Sequence, residues 1–139
     1  MPSISARSAT RRRITVACLA VLTVAAGLCV HRFGSGILGD VAGDALYATL
    51  IYLVVAFILP RRARSLCAAL AIVFCSVIEL LQLTDAPARM TGLFPPAVLV
   101  VGSGFDRRDL LVYAFAVVFV MLLDALISRS LRRRAALRP

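Results

Sequence analysis

The chain has 139 residues, of which 61% are hydrophobic and 17% charged, and its mean hydropathy is +0.94. Soluble domains average about 45 to 50% apolar residues, so this composition excludes an ordinary soluble domain and predicts an all-α, polytopic membrane protein. The net charge of +9 comes from 16 arginines set against seven acids, and the arginines lie in short blocks between and outside the apolar runs. This distribution argues against nucleic acid as a partner and favours the lipid bilayer, with anionic lipid head groups beside the cytoplasmic arginines.

Four apolar runs predict a bundle of four transmembrane helices within residues 14–127. The predicted helices cover residues 14–30, 44–59, 66–83 and 110–127, between a basic N-terminal tail (1–13) and a basic C-terminal tail (128–139). Residues 93–102 are apolar, but they are too few to span a bilayer and include two prolines. We therefore expect a re-entrant or interfacial segment before the fourth helix.

The placement of the arginines predicts the orientation of the bundle. If both termini are cytoplasmic, twelve arginines lie inside and four outside, whereas six of the seven acidic residues lie at or near the outer face. Short cytoplasmic loops carry an excess of arginine and lysine. We therefore expect a multi-pass protein of the cell (cytoplasmic) membrane with both termini inside.

Glu79 needs explanation, because a charged side chain within hydrocarbon costs roughly 2.5 to 3.5 kcal/mol on insertion scales. In the predicted topology, three helices carry an acid near the outer boundary, each with a hydrogen-bonding companion three or four residues away, on the same helix face. The pairs are Asp44 with Tyr47, Glu79 with Gln82, and Asp109 with Tyr113. We expect these six residues to form one outward-facing polar site.

Three arginines, Arg89, Arg107 and Arg108, belong to the loop above this site. They either neutralise the acids or bind an anion or a partner. At the inner interface, Asp124 is close enough in sequence to pair with Ser128 and Arg129.

Several interpretations of the polar site remain. In the first, the protein is a binding or transport component in which Glu79 exchanges protons or holds a cation or small ligand. In the second, Asp44 and Asp109 cap their helices, Glu79 and Gln82 bond between helices, and the protein is structural or an interaction partner. The third is an envelope enzyme acting on a lipid-linked substrate, for which no catalytic template fits.

The sequence predicts no catalytic residue, no metal site and no cofactor. Its four cysteines fall within apolar runs and form no C-x-x-C pair, and its single histidine, His31, ends the first run.

Three motifs carry a family resemblance. They are GDALYA at residues 43–48, IELLQL at residues 78–83, and GSGF at residues 102–105 followed by Asp109, Leu110 and Tyr113. On these motifs the chain resembles, from about residue 14 to residue 125, an uncharacterised bacterial membrane family, the domain of unknown function 2809. Its E-x-x-Q pattern is more distantly similar to that of the VanZ-like proteins of the cell envelope. The resemblance implies a helical membrane fold and a compartment, but no activity.

Overall fold

The computed structural model describes residues 4–102 and 104–136, and within them the side chains of residues 9–102 and 104–130. This part of the chain contains no strand, and four of its helices are long and apolar enough to cross a membrane. The predicted all-α membrane bundle of four spans is thereby confirmed.

The helices follow one another along the chain with short connections. The four long helices are α1 (Ile4–Phe33), α2 (Gly36–Ile58), α3 (Arg64–Leu81) and α6 (Arg107–Ala136); between α3 and α6 lie α4 (Ala86–Leu93), a 3-10 turn (Pro95–Ala97) and α5 (Val98–Val101).

The second span begins earlier than the sequence pattern predicts. The connection between α1 and α2 is only Gly34 and Ser35, and it is tight: a Cβ added to Gly39 would lie 2.9 Å from the carbonyl carbon of Gly34. The residues from Gly36 onward continue as helix, since a backbone inside a bilayer must satisfy its own N–H and C=O groups. Asp44 therefore lies about two turns inside α2 and is not its N-cap.

Helix α2 is the centre of the bundle, because it packs against α1, α3 and α6, while α3 also packs against α6. Small residues form much of the interface, and each of them is fully buried: Ala48, Ala56, Cys67, Ala71 and Cys75. Small side chains let the helix backbones approach closely in a membrane, where van der Waals packing drives helix association. Larger apolar side chains such as Phe115 point outward, as expected for contact with lipid.

The bundle has two chemically different ends. At one end, the terminal end, Arg12 of α1 and Arg64 of α3 contact Asp124 of α6. At the other, the loop end, Asp44 of α2 lies beside Asp109 of α6.

The segment before α6 partly covers the loop end. Tyr47 of α2 donates a hydrogen bond of 3.0 Å to the carbonyl oxygen of Val100 in α5, and Val101 is buried. Leu93, the last residue of α4, and Phe94, which follows it, are 90% and 62% exposed. The α5 end of the segment thus packs against α2, whereas Leu93 and Phe94 expose apolar side chains. The re-entrant or interfacial position of the segment in the bilayer stays a prediction.

Candidate functional site

Glu79 lies at the centre of the loop end, and its side chain is completely buried. Its Oε1 accepts a hydrogen bond of 2.7 Å from the backbone N–H of Asp106, and its Oε2 accepts one of 3.2 Å from the hydroxyl of Tyr113. Each carboxyl oxygen therefore has a donor, which offsets the cost of taking the group out of water. Glu79 ties α3 both to the residue before α6 and to the second turn of α6.

Asp106 is the capping residue of α6. It precedes the first helical residue, Arg107, and its Oδ1 accepts a hydrogen bond of 2.8 Å from the backbone N–H of Arg108. Asp109, which the structural interpretation of the sequence made the cap, instead belongs to the first turn of the helix. The sequence signal for this cap is an Asp one turn ahead of the last apolar run, with a second acid, Asp109, three residues later.

Two of the acids in the site, Asp44 and Asp109, lie close enough for their carboxyl groups to interact, and Asp44 is also near enough to Glu79 for the charges to interact. Ionised carboxylates only accept hydrogen bonds, so a bond between two of them requires one shared hydrogen. Helix capping does not explain the position of Asp44, and Arg108, which pairs with Asp109 at 3.5 Å, is also near enough for its charge to act on Asp44.

Two tyrosines complete the cluster. The rings of Tyr47 and Tyr113 lie 6.2 Å apart between centroids at an interplanar angle of 57°, a tilted arrangement that aromatic pairs favour. Tyr113 is buried and donates to Glu79, while Tyr47 holds α5. The structure thus brings together five of the six residues expected at the polar site: Asp44, Tyr47, Glu79, Asp109 and Tyr113.

Gln82 does not act as the companion of Glu79. It lies just beyond the end of α3, and a Cβ added to Gly102 would come within 2.5 Å of its Nε2. Its Oε1 is buried without a hydrogen-bond partner in the described part of the chain. The backbone of Gln82 still has helical φ and ψ, and its N–H bonds to the carbonyl oxygens of Ile78 and Glu79, so Gln82 keeps its helical position. Its side chain nevertheless lies against Gly102 and makes no hydrogen bond to Glu79.

The three loop arginines have different surroundings. Arg108 pairs with Asp106 at 3.3 Å and with Asp109 at 3.5 Å, so it neutralises acids. Arg89 and Arg107 are exposed and make no ion pair with any residue that the structure describes.

An apolar groove of about 690 Å³ runs along the outside of the bundle between α2 and α6, beside the pair of Asp44 and Asp109. Its walls are Val41, Ala45, Leu46, Thr49, Arg108, Leu111, Val112, Phe115, Ala116 and Phe119. A groove with such walls inside a bilayer favours lipid chains over water. The carboxyl pair is therefore better reached by water from the loop end than from the side.

A second polar network lies at the terminal end, and the sequence predicts only part of it. Asp124 Oδ2 lies 2.8 Å from Arg12 Nη2 and 3.1 Å from Arg64 Nε, and it accepts a hydrogen bond of 2.9 Å from the Tyr52 hydroxyl. The expected contact with Ser128 is present at 3.3 Å. One carboxylate thus joins all four spans.

Apart from Ser128, the partners of Asp124 lie on other helices, too far away in sequence for local spacing to reveal them. Its contact with Arg12 joins residues 112 positions apart, whereas the predicted partner Arg129 is exposed on the same helix. The sequence signal for these contacts is that Asp124 is the single acid at an end of the bundle that is rich in arginines.

Comparison with known proteins identifies the family of the chain. The family model described as protein of unknown function (DUF2809) matches residues 33–117. The chain belongs to this family. The DUF2809 match includes every acid and tyrosine of the loop-end cluster but ends before Asp124. No curated protein and no solved structure matches the chain.

Proposed function

We propose that this DUF2809 member is a small binding or transport component of the cell envelope whose loop-end cluster binds and releases a proton. The observation that carries the proposal is the contact between the carboxyl groups of Asp44 and Asp109. Two neighbouring carboxyl groups in a poorly solvated site favour a state with one hydrogen between them, because two ionised groups would repel each other and the one charge of Arg108 is shared with Asp106. Their position at an end of the bundle favours exchange with water on that side.

The contacts of Glu79 favour the carboxyl pair, and not Glu79 itself, as the titrating group. Both Glu79 oxygens already accept hydrogen bonds from groups that it holds in place. Glu79 in this proposal positions Asp106 and Tyr113, and thereby the start of α6, which carries Asp109.

The ligand geometry favours a proton over a metal cation. Across the described residues, no group of three or more His, Cys, Asp or Glu side chains is arranged to hold a metal ion. A proton needs only the two facing carboxyl oxygens of Asp44 and Asp109.

We also propose a location and an orientation. The arginine distribution supports the cytoplasmic membrane with both termini inside, so that the carboxyl pair faces outward. We further propose a bacterial cell envelope, which is what the resemblance of residues 79–82 to the E-x-x-Q pattern of VanZ-like proteins implies. Reporter enzymes fused after residue 85 and after residue 139 test the orientation: only the first fusion should be active in an assay that requires export. Export of both, or of the second alone, would contradict it.

The proton site is tested by infrared difference spectroscopy of the purified chain in liposomes during a pH titration. We expect the wild type to show a protonated-carboxyl band that disappears as the pH rises. Asp44→Asn and Asp109→Asn should each shift this band or its titration, since an amide replaces one partner of the pair. Asp40→Asn, an exposed acid one turn earlier on α2, is the matched control and should leave both unchanged. A band with the wild-type titration in both pair variants would refute the proposal.

A structural role is the second candidate, and the saturated hydrogen bonding of Glu79 favours it. In that case the acids only fasten helices and the loop. Asp44→Asn should then leave any pH-dependent phenotype intact, whereas loss of such a phenotype at a normal protein level supports the proton site.

A further inference from the structure

Two arginine blocks that are far apart in sequence meet at the terminal end. Arg12 Nη1 donates hydrogen bonds of 2.8 Å to the carbonyl oxygen of Pro60 and 3.5 Å to that of Arg62. These contacts place the arginines of α1 beside the turn between α2 and α3. The basic surface, as we name it, consists of the arginines that flank these contacts: Arg11, Arg13, Arg61 and Arg62.

Within the residues whose side chains the structure describes, the basic surface has no counterion. Asp124 is the only one of the seven acids near this end, and Arg12 and Arg64 already occupy it, with side chains 13% and 27% exposed. The four arginines of the basic surface are exposed, and none makes an ion pair within the described residues. Their charges therefore call for an anion from outside the chain.

The surface is partly fixed in place. Arg13 Nε donates a hydrogen bond of 3.3 Å to the carbonyl oxygen of Phe57, and its guanidinium lies 5.8 Å from the centre of the Phe57 ring. Contacts from Arg12 and Arg13 to the end of α2 and the turn after it thus hold the two arginine blocks beside each other. A ligand that binds both blocks loses less side-chain entropy than one that orders free arginines.

We propose that the basic surface binds the head group of a lipid that carries two phosphates, with one phosphate against each block. Guanidinium groups match phosphate oxygens with paired hydrogen bonds, and basic pockets at the ends of membrane helices select such head groups. A lipid is favoured over a soluble phosphate because exposed apolar side chains lie next to both blocks: Ile14 follows Arg13 and is 60% exposed, and Ile58 is 61% exposed. These side chains offer contacts for the acyl chains.

The test compares two anionic lipids on the full chain, purified in detergent and stripped of lipid. Native mass spectrometry measures how much cardiolipin, with two phosphates, or phosphatidylglycerol, with one, the protein retains at equal phosphate concentration. We expect preferential retention of cardiolipin. The double variant Arg61→Gln with Arg62→Gln should bind cardiolipin at least about tenfold more weakly, from the usual contribution of each arginine near anionic lipid.

The matched control is Arg89→Gln with Arg107→Gln, which removes two exposed arginines at the loop end and should leave retention unchanged. Equal retention of the two lipids, or an equal loss in this control, would overturn the proposal. Competition by pyrophosphate at the same phosphate concentration would also overturn it, because the site would then be one for free phosphate. If the double variant does not fold, the single variants carry the test, each with a partial loss.

Discussion

Glu79 Oε1 accepts a hydrogen bond of 2.7 Å from the backbone N–H of Asp106, and this bond fastens the end of α3 to the residue that caps α6. Glu79, a buried acid that looks like an intramembrane functional group, thus holds parts of the structure together. It holds the start of the helix that presents Asp109 to Asp44. The titrating pair and its support can be separated by mutation, because they involve different side chains.

Replacing Glu79 tests this support directly. Glu79→Leu leaves the Asp106 N–H and the Tyr113 hydroxyl without their acceptor, so we expect a loss of about 1 to 3 kcal/mol of unfolding free energy for each unpaired group. Glu79→Gln keeps one carbonyl oxygen and should cost less. Denaturation of the purified chain, followed by helical circular dichroism, measures the difference. Equal stability of the Leu and Gln variants would show that these hydrogen bonds do not hold α6.

Removing Asp124 should loosen all four spans. Asp124→Leu leaves Arg12 and Arg64 without their counterion in a setting where the Asp124 side chain is only 11% exposed, so we expect a loss of about 3 kcal/mol. Tyr52→Phe removes only one hydrogen bond to the same carboxylate and should cost about 1 kcal/mol. The exposed Asp85→Leu is the control for an acid removed from the surface. Thermal unfolding should rank the variants in that order, and a stability of Asp124→Leu matching the control would contradict a clamping role.

Gly102 is expected to tolerate no side chain. Its φ is +69°, so Gly102→Ala strains the backbone, and the added Cβ, 2.5 Å from Gln82 Nε2, also forces the end of the Gln82 side chain to move. We expect a loss of about 1 to 3 kcal/mol. Gly92→Ala, in α4 with nothing within 4 Å of the added Cβ, should be neutral or slightly stabilising. A melting temperature lowered equally by both substitutions would argue against this local explanation.

Close packing of α3 against its neighbours predicts a sharp contrast between two alanines. Ala71 is completely buried among the small residues of the core, so Ala71→Leu forces the helices apart at a cost of about 1 to 3 kcal/mol. Ala69, two positions earlier, is exposed, and Ala69→Leu adds only lipid-facing surface. The folded yield after detergent extraction should fall for the first variant alone. A similar yield of both would mean that α3 is loosely packed.

The residues that sequence reasoning placed correctly share one property, which is that their own helix fixes their position. Hydropathy predicted the four spans, and spacing put Asp109 and Tyr113 on one face of the last helix. The same reasoning paired Glu79 with Gln82, but spacing within one helix gives no information about partners on other segments. Glu79 bonds to Asp106 and Tyr113, whereas the side chain of Gln82 lies against Gly102.

The sequence by itself determined that the chain forms apolar helices with polar ends, because a backbone in hydrocarbon must satisfy its hydrogen bonds within each span. Only the tertiary structure decided which polar groups meet: Asp44 with Asp109, and Asp124 with Arg12 and Arg64. The helical repeat fixes the face that a residue occupies on its own helix. It does not fix the rotation or the axial offset of the neighbouring helix, and these two quantities follow from how small side chains such as Ala48 and Ala71 let the backbones pack.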